Sequence, residues 1–244
     1  MKPKNIDWQE QAKKSAAKEA VKHVKDGYVI GLGSGSTAAF AIQEIGKQTK
    51  QKQLEILAIP TSYQAFHLAT QNNISITTLD EHPRLDLTID GADQIEKKTL
   101  NMIKGMGGAL AREKIVAAAS KKLVIIVDET KLTEKLGFNQ LVPVEVLPFA
   151  LALVTAKLRE LKGKPALREG KGKVGPVVTD NGSFILDTDF GMIKDAEKLD
   201  TQIKSVPGVV EHGLFLGMAD IVYVGTQVGV QKLEKGNKPV FARV

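Results

Sequence analysis

The stretch Tyr28-Val-Ile-Gly-Leu-Gly-Ser-Gly-Ser-Thr37 joins a short apolar run to a glycine-rich loop. The apolar run is typical of a buried strand, and Thr37–Lys47 has helical spacing. Glycines let the backbone approach a ligand closely, and free N–H groups at a helix start attract phosphate or carboxylate. A tight strand-to-helix turn with an ordinary N-cap would give the same pattern, but we favour a loop that binds the phosphate or carboxylate of a small ligand. The dinucleotide pattern G-x-G-x-x-G is not met, because Ser36 stands at its third glycine.

Strand-like and helix-like segments alternate around this stretch as far as residue 136. Helical spacing covers Asp7–Lys25 and Gly108–Ser120, and strand-like runs cover Leu54–Ile59, Leu85–Ile89 and Leu123–Val127. Such alternation favours a mostly parallel sheet with helices on both faces. The sequence therefore predicts an α/β protein with a doubly wound, mostly parallel sheet.

The pattern changes after Gly137. It predicts, in order, a strand, a helix, a hairpin, a helix and a strand, over Val142–Val146, Phe149–Leu161, Val177–Leu186 with Asn181-Gly182 at the turn, Ala196–Ile203 and Val209–Leu216. That order is typical of a ferredoxin-like α+β domain. Ile221–Thr226 then returns to the first sheet. We predict a Rossmann-like catalytic domain of residues 1–136 plus 216–244, with residues 137–215 inserted as an α+β lid domain.

Composition excludes several classes of protein. The chain has 244 residues, 43% hydrophobic and 25% charged, which is ordinary for a globular protein. No apolar run approaches the ~20 residues of a membrane span, so no membrane partner is predicted. The absence of Cys excludes disulfide scaffolds and thiol nucleophiles, and together with an N-terminus that lacks a secretory signal it predicts a cytoplasmic protein. The net charge is +6, but acidic residues interleave with the lysines and aromatics are only 5%, so no nucleic-acid partner is predicted.

A second candidate segment is Leu85-Asp-Leu-Thr-Ile-Asp-Gly-Ala-Asp-Gln94. Asp90 ends the predicted strand, and ligands of open α/β sheets bind beyond the carboxyl ends of the strands. We therefore expect Asp90 and Asp93 to face the same crevice as the glycine loop. An Asp in a turn and an Asp at a helix N-cap would give the same pattern. No His accompanies the two carboxylates, and no metal site is predicted.

A third candidate is the glycine cluster that follows Lys104 and precedes an Ala-rich helix containing Arg112-Glu113-Lys114. A carboxylate between two cations is usually a solvated surface group. Away from bulk water, Glu113 would instead suit a general base, and Lys104 would stabilise an oxyanion or hold phosphate. The four His residues have no metal-ligand spacing, and a G-x-S-x-G nucleophile motif is absent.

Taken in order, these segments resemble the type A ribose-5-phosphate isomerase family. The motifs that carry the resemblance are Gly31–Ala38, Ile89–Asp93, Lys104–Ile115, Asp128–Lys131, Pro143–Val146, Val178–Gly182 and Pro207–Val210. The resemblance implies interconversion of ribose 5-phosphate and ribulose 5-phosphate in the non-oxidative pentose phosphate pathway, with no cofactor and no metal. It also implies a sugar phosphate as the small-molecule partner, and a homodimer or homotetramer.

The resemblance also assigns roles by position. Glu113 matches the base that moves a proton between C2 and C1 through an enediolate. Asp90 and Asp93 match acidic residues for ring opening and proton movement at O1 and O2, and Lys104 matches the residue that stabilises the enediolate. Lys13 is expected near the phosphate. The implied substrate-binding positions are Ser34, Gly35, Ser36, Thr37, Asp90, Gly91, Ala92, Asp93, Lys104, Gly105, Met106, Gly107 and Lys131.

Three positions depart from the family pattern. Met106 replaces a glycine of a Lys-Gly-Gly-Gly segment, Ser34 replaces a common Thr, and Gln94 replaces a frequent Glu. Residues 171–176 resemble an insertion and residues 232–244 a C-terminal extension, both expected to be peripheral or to serve subunit contacts. Three alternatives stay open: a sugar-phosphate sensor on a related fold, a nucleotide-dependent enzyme that uses Gly31–Gly35, and a transferase with the related coenzyme A transferase fold.

Overall fold

The structure is a computed structural model that describes residues 5–172 and 174–234. Its helices are α1 (Asn5–Val21), α2 (Ser36–Lys52), α3 (Tyr63–Gln71), α4 (Leu110–Ala118), α5 (Leu151–Glu160) and α6 (Ala196–Lys204), with short 3-10 helices at Glu129–Lys131 and Pro148–Ala150. Its strands are β1 (Val29–Leu32), β2 (Leu57–Pro60), β3 (Ser75–Ile76), β4 (Leu87–Asp90), β5 (Gln94–Glu96), β6 (Met102–Ile103), β7 (Leu123–Asp128), β8 (Leu132–Thr133), β9 (Val142–Val146), β10 (Lys164–Leu167), β11 (Phe184–Asp189), β12 (Val209–His212), β13 (Leu214–Phe215), β14 (Ile221–Thr226) and β15 (Gly229–Glu234). Among the described residues, no helix combines the length and the apolar character needed to cross a membrane.

The described residues divide into two compact units. The first comprises the chain up to Ala92, Arg112–Lys131 and the residues from Met218 onwards, and the second comprises Asp93–Ala111 and Leu132–Gly217. The sequence-based division grouped residues 93–111 with the first domain, whereas the structure groups them with the second unit. The reason is strand pairing, because β5 and β6 form a small sheet with β8 and β13.

The first unit contains the predicted doubly wound sheet. Its strand order is β15-β14-β7-β4-β1-β2-β3, and neighbouring strands are parallel except for β15, which pairs antiparallel with β14. Counted along the chain within this sheet, the parallel strands lie in the order 3-2-1-4-5-6, which is that of a Rossmann-like fold. The predicted fold class is therefore confirmed for this unit.

Apolar patterning explains this sheet. All residues of β7 are buried, as expected for a parallel strand covered on both faces. Ile30 and Ile89 belong to one core cluster with Ala16 of α1. The small residues of α1 allow close approach to the sheet, and a Cβ on Gly225 of β14 would lie 2.0 Å from the carbonyl oxygen of Ala12.

The second unit contains an antiparallel sheet in the order β10-β11-β9-β12. Along the chain its elements run β9, α5, β10, β11, α6, β12, which is the ferredoxin-like arrangement. Val144, Val154, Leu186 and Ile203 are buried in one cluster of strand and helix side chains. The predicted α+β class of the inserted region is confirmed.

The predicted hairpin over Val177–Leu186 is wrong in its first strand. β11 pairs antiparallel with β10 (Lys164–Leu167) instead, which lies between the predicted helix Phe149–Leu161 and the predicted hairpin. Asn181-Gly182 does form a tight turn, in which Gly182 has φ 76°. Pro176 lacks an N–H group and follows a glycine with φ 90°, so the chain before this turn is poorly suited to a strand.

The two segments that depart from the family pattern are described in part. Residues 171–176 follow β10, Lys173 lies outside the described residues, and Glu169 forms an isolated antiparallel bridge with Pro176. Residues 232–234 belong to the edge strand β15, and residues 235–244 lie outside the described residues.

Candidate active site

The candidate site in the first unit lies where the strand order of the sheet reverses. β1 and β4 are neighbours there, with β2 beyond β1 and β7 beyond β4. In a doubly wound sheet, the crevice at the carboxyl ends of such a strand pair is the preferred ligand site. The glycine-rich loop leaves the carboxyl end of β1, and Asp90 ends β4. The topology therefore brings two of the three predicted segments together.

Asp90 ties the loop to the end of β4. Its Oδ1 accepts hydrogen bonds from the backbone N–H of Gly91 at 2.7 Å and of Ser34 at 3.2 Å. The residue is 1% exposed. A Cβ on Gly33 would lie 2.0 Å from the same Oδ1, so only glycine fits beside this carboxylate. The first glycines of the loop thus make room for Asp90.

The first turn of α3 holds the loop from another side. The Ser34 hydroxyl donates to Ser62 Oγ at 2.6 Å and lies 2.8 Å from Thr61 Oγ1. Ser62 is the N-cap of α3, and its side chain accepts a hydrogen bond from the Ala65 N–H. The Gly35 N–H donates to Gln64 Oε1 at 2.8 Å. Sequence reasoning named Ser34 and Gly35 but missed these partners, which lie about thirty residues away.

Ser36 and Thr37 begin α2, directly after Gly35 with φ 95°. The first N–H groups of a helix have no acceptor within the helix, and the helix dipole favours an anion there. A Cβ on Gly91 would lie 3.9 Å from the Thr37 Cβ, so Thr37 borders the chain that follows Asp90. Two adjacent hydroxyls and the free amides of a helix start suit a phosphate group.

Glu113 lies in the first turn of α4 and is 5% exposed. The neighbouring Arg112 is half-buried, with its guanidinium 5.4 Å from the ring centre of Tyr63. The interpretation as a solvated surface group therefore fails for Glu113. A buried carboxylate is poorly solvated, which is the environment in which a side chain is used as a general base.

Two further charged residues lie at the carboxyl end of β7, the neighbour of β4, or just beyond it. Lys131 ends the 3-10 helix Glu129–Lys131 and is half-buried. Asp128 ends β7, is 1% exposed, and has its Oδ2 3.8 Å from Lys13 Nζ. Asp128 is not among the site residues predicted from the sequence. The available signal was its position as the only charged residue of an otherwise apolar strand.

The other predicted residues lie in the second unit, around the turn that follows β6. Lys104 is 2% exposed, and its Nζ lies 5.3 Å from the ring centre of Phe215. The Asp93 Oδ2 accepts a hydrogen bond from the backbone N–H of Met106 at 2.9 Å. Asp93 therefore supports the turn rather than capping a helix. A side chain in place of the usual glycine at Met106 leaves this backbone contact intact.

Each unit thus brings part of the predicted set together. The first unit joins Ser34, Gly35, Thr37, Asp90 and Gly91, and also contains Ser36, Ala92, Glu113 and Lys131. The second joins Asp93 and Met106 in one turn with Lys104, Gly105 and Gly107. Within residues 5–172 and 174–234, no group of three or more His, Asp and Glu side chains is placed to hold a metal ion.

A cavity of about 560 Å³ lies elsewhere in the first unit, at the amino ends of β2 and β3. Its lining residues are Gly27, Thr49, Leu54, Glu55, Ile56, Leu57, Asn73, Ile74 and Ser75. That lining has one carboxylate and no Lys or Arg, so it is unsuited to a phosphate. The chemistry of the side chains, not the size of the cavity, identifies the carboxyl ends of β1 and β4 as the candidate site.

Known proteins show the same combination of sequence and fold. The family model for ribose 5-phosphate isomerase A (phosphoriboisomerase A) matches residues 57–229. Ribose-5-phosphate isomerase A of Methanosarcina acetivorans is 47% identical over 96% of this chain and 98% of its own length. The ribose 5-phosphate isomerase A structure from Methanocaldococcus jannaschii superposes with a TM-score of 0.90 at 48% identity, covering 93% of this chain and 100% of that one. A D-ribose-5-phosphate isomerase structure in complex with phospho-erythronic acid gives 0.89 at 44% identity, over 92% and 98% of the two chains. This chain therefore belongs to the ribose 5-phosphate isomerase A family.

Proposed function

We propose that this chain interconverts D-ribose 5-phosphate and D-ribulose 5-phosphate, as an aldose–ketose isomerase of the non-oxidative pentose phosphate pathway. The observation that carries the proposal is the burial of Glu113 in the first turn of α4, in a chain of this family. A protein that only bound the sugar phosphate would not need a buried base. The phospho-erythronic acid bound by a related isomerase supports a sugar-phosphate-like ligand.

Glu113 is the proposed base. Its carboxylate removes the proton from C2 of the open-chain aldose, the C2–H electron pair forms the C1=C2 bond, and the carbonyl pair moves to O1. The same carboxylate then returns the proton to C1, while the hydroxyl proton of O2 is transferred to O1, which leaves the ketone at C2. One carboxylate can serve both carbons because the enediolate is planar and its two carbons are adjacent.

We assign Asp90 and Asp93 to ring opening and to the proton movements at O1 and O2. Lys104 is assigned to the negative charge of the enediolate. Its near-complete burial supports this role, since a cation screened little by water stabilises a developing oxyanion more strongly than a solvated one.

The phosphate is assigned to the start of α2, with Ser36 and Thr37 as the principal donors. Lys131 adds a half-buried cation. The Ser34 hydroxyl already donates to Ser62, so we assign Ser34 to shaping the loop as well as to substrate contact. Binding energy from the phosphate is remote from the reacting carbons and can hold the substrate in place during proton transfer.

The test is Glu113→Gln beside wild type, in a coupled assay of ribose 5-phosphate conversion with EDTA present and no nucleotide. Because the carboxamide cannot accept the C2 proton, we expect kcat to fall by ~100-fold or more. Glu129→Gln is the matched control, since Glu129 is exposed and should leave kcat unchanged. An inactive, folded wild type would favour the sensor alternative. Full activity in Glu113→Gln would retain the isomerase and move the base to another residue.

We also propose a homodimer or homotetramer located in the cytoplasm. The chain around the start of α5 exposes Leu147, Phe149 and Leu153, and Phe149 is fully exposed. Neighbouring exposed apolar side chains favour a protein contact. Light scattering of purified protein tests the oligomer, and Phe149→Ser should shift it towards smaller species. The cytoplasmic assignment rests on the substrate, because a charged sugar phosphate does not cross a membrane unaided.

A further inference from the structure

Arg168 follows β10 in the second unit, and Asp187 of β11 holds its guanidinium. Arg168 Nε donates to Asp187 Oδ2 at 2.7 Å, and Nη2 donates to Oδ1 of the same carboxylate. The side chains of Arg168 and Asp187 are only 13% and 14% exposed. The backbone is fixed as well, since the Arg168 N–H donates to the Ile185 carbonyl at 2.9 Å. The guanidinium plane is therefore oriented before it meets any other partner.

The free edge of this guanidinium meets the Lys104–Gly108 turn. Arg168 Nη1 donates to the carbonyl oxygens of Gly105 at 3.2 Å and Met106 at 3.0 Å. The Gly105 carbonyl also accepts from the Gly108 N–H at 2.9 Å, and both glycines have positive φ, 101° and 83°. Arg168 therefore locks a turn whose backbone other residues would adopt only with strain.

One peptide group links Arg168 to Asp93. The carbonyl of Gly105 and the N–H of Met106 belong to the same amide, and they bond to Arg168 Nη1 and Asp93 Oδ2, respectively. A hydrogen bond donated to an amide oxygen polarises the amide and makes its N–H a better donor. The Arg168 contact therefore strengthens the bond that orients the Asp93 carboxylate.

We infer that Arg168 is a positioning residue for the isomerisation. It holds the turn that carries Lys104 and, through the Gly105–Met106 amide, the carboxylate of Asp93. Because Asp187 neutralises the charge of the guanidinium, Arg168 contributes by fixing the positions of Lys104 and Asp93 and not by adding positive charge to the site. The inference rests on the proposed function, because it matters for turnover only if Lys104 and Asp93 act on the substrate. Lysine cannot replace the guanidinium, since an ammonium group lacks the planar fork that serves a carboxylate and two carbonyls at once.

The test compares Arg168→Lys with the matched control Arg159→Lys, which changes an exposed residue of α5 in the same unit. We expect kcat of Arg168→Lys to fall by roughly 10- to 100-fold, the scale of a displaced catalytic group. KM should change by less than about 3-fold, because phosphate binding is assigned to other residues. Hydrogen exchange at the Met106 amide should accelerate by ~5-fold or more as its turn loosens. Arg159→Lys should leave all three quantities unchanged.

Two results would overturn the inference. One is an unchanged kcat in folded Arg168→Lys. The other is a fall in kcat without faster hydrogen exchange at the Met106 amide, which would indicate that the substitution lowers activity by some means other than loosening this turn. If wild type does not turn over ribose 5-phosphate, the proposed function fails, and the exchange comparison alone decides whether Arg168 holds the turn. Should Arg168→Lys not fold, Asp187→Asn replaces it, with a smaller fall in kcat and the same change in exchange expected.

Discussion

An aspartate lies at each end of β4, Asp86 directly before the strand and Asp90 as its last residue, and each accepts a hydrogen bond from the chain of β1 or of the loop that follows β1. At the amino end, Asp86 Oδ2 accepts from the Val29 N–H at 3.0 Å. At the carboxyl end, Asp90 Oδ1 accepts from the Ser34 N–H at 3.2 Å. The same type of side chain thus makes the same kind of bond at both ends of this pair of neighbouring strands.

The surroundings of the two carboxylates differ. Asp86 forms an ion pair with Lys121 at 2.7 Å, and the two side chains are 25% and 69% exposed. Hydrogen bonding to the Lys121 ammonium, helped by the Val29 N–H, holds the pKa of Asp86 below its usual value. Asp90 is buried beside the start of α2, at the end of the sheet where doubly wound folds bind ligands. Strand direction therefore places one of two similar carboxylates in a surface ion pair and the other, buried, at the end of the sheet where doubly wound folds bind ligands.

Replacing each aspartate by asparagine tests this comparison with the largest expected effect. Asparagine keeps an oxygen to accept the backbone N–H, so both variants should fold. We expect Asp90→Asn to lower kcat/KM by ~100-fold or more, as for the loss of a proton-transferring group. Asp86→Asn should retain wild-type kcat/KM within about 2-fold. An equal loss of activity in the two variants in the coupled assay would contradict the distinction between Asp86 and Asp90.

The glycines at the two ends of β1 give a smaller, matched contrast. Gly33→Ala places a Cβ against Asp90 Oδ1, so we expect roughly 1–3 kcal/mol of lost stability and a 10- to 100-fold fall in kcat, since Asp90 must move. Gly27 has φ 73° and open space around it, so Gly27→Ala should cost about 1 kcal/mol of backbone strain with kcat unchanged. Urea unfolding and the activity assay measure both quantities. Equal activity in Gly33→Ala and Gly27→Ala would contradict the importance of the close contact between Gly33 and Asp90 Oδ1.

The smallest expected effect is the pH dependence of the Asp86–Lys121 pair. Because the folded pKa of Asp86 is lowered, its contribution to stability is present above the ordinary pKa of about 3.9 and is lost as pH falls through the lower folded pKa. Asp86→Asn should therefore be less stable than wild type by under ~1 kcal/mol at pH 7. The difference should shrink as pH falls below about 4. Urea unfolding at several pH values measures it, and a difference that stays constant with pH would exclude the ion pair as its source.

Local patterns predicted most of the fold. The continuous apolar run of β7 and the glycine-rich exit from β1 indicate buried parallel strands, and both strands lie in the central sheet. The hairpin was misplaced because Asn181-Gly182 correctly predicts a turn but does not specify which distant segment pairs with β11. Residues 93–111 cluster with the second unit rather than with the predicted first domain. Their two- and three-residue strands have too little periodicity to reveal their partners from the sequence.

The predicted site was likewise incomplete where it depends on contacts between residues distant in sequence. Asp90 and the loop at Ser34 could be placed together because both follow parallel strands at one end of a sheet. Their supports could not be predicted, since Ser62 and Gln64 meet the loop only through tertiary contacts. The pairing of Arg168 with Asp187 likewise depends on the register of β10 and β11, which the sequence alone did not reveal.

The contacts of the Gly105–Met106 amide also bear on how this turn tolerates mutation. Arg168 donates to main-chain carbonyl oxygens, and Asp93 accepts from a main-chain N–H. Neither bond therefore depends on which side chain stands at position 106. Met106 is 41% exposed, and it is not among the residues with positive φ. A methionine therefore stands at this position without disturbing either backbone bond, and its Sδ lies 3.9 Å from Arg168 Nη2. Replacing Met106 by another residue should therefore remove only its sulfur contact with Arg168 and leave the two backbone hydrogen bonds of the turn in place.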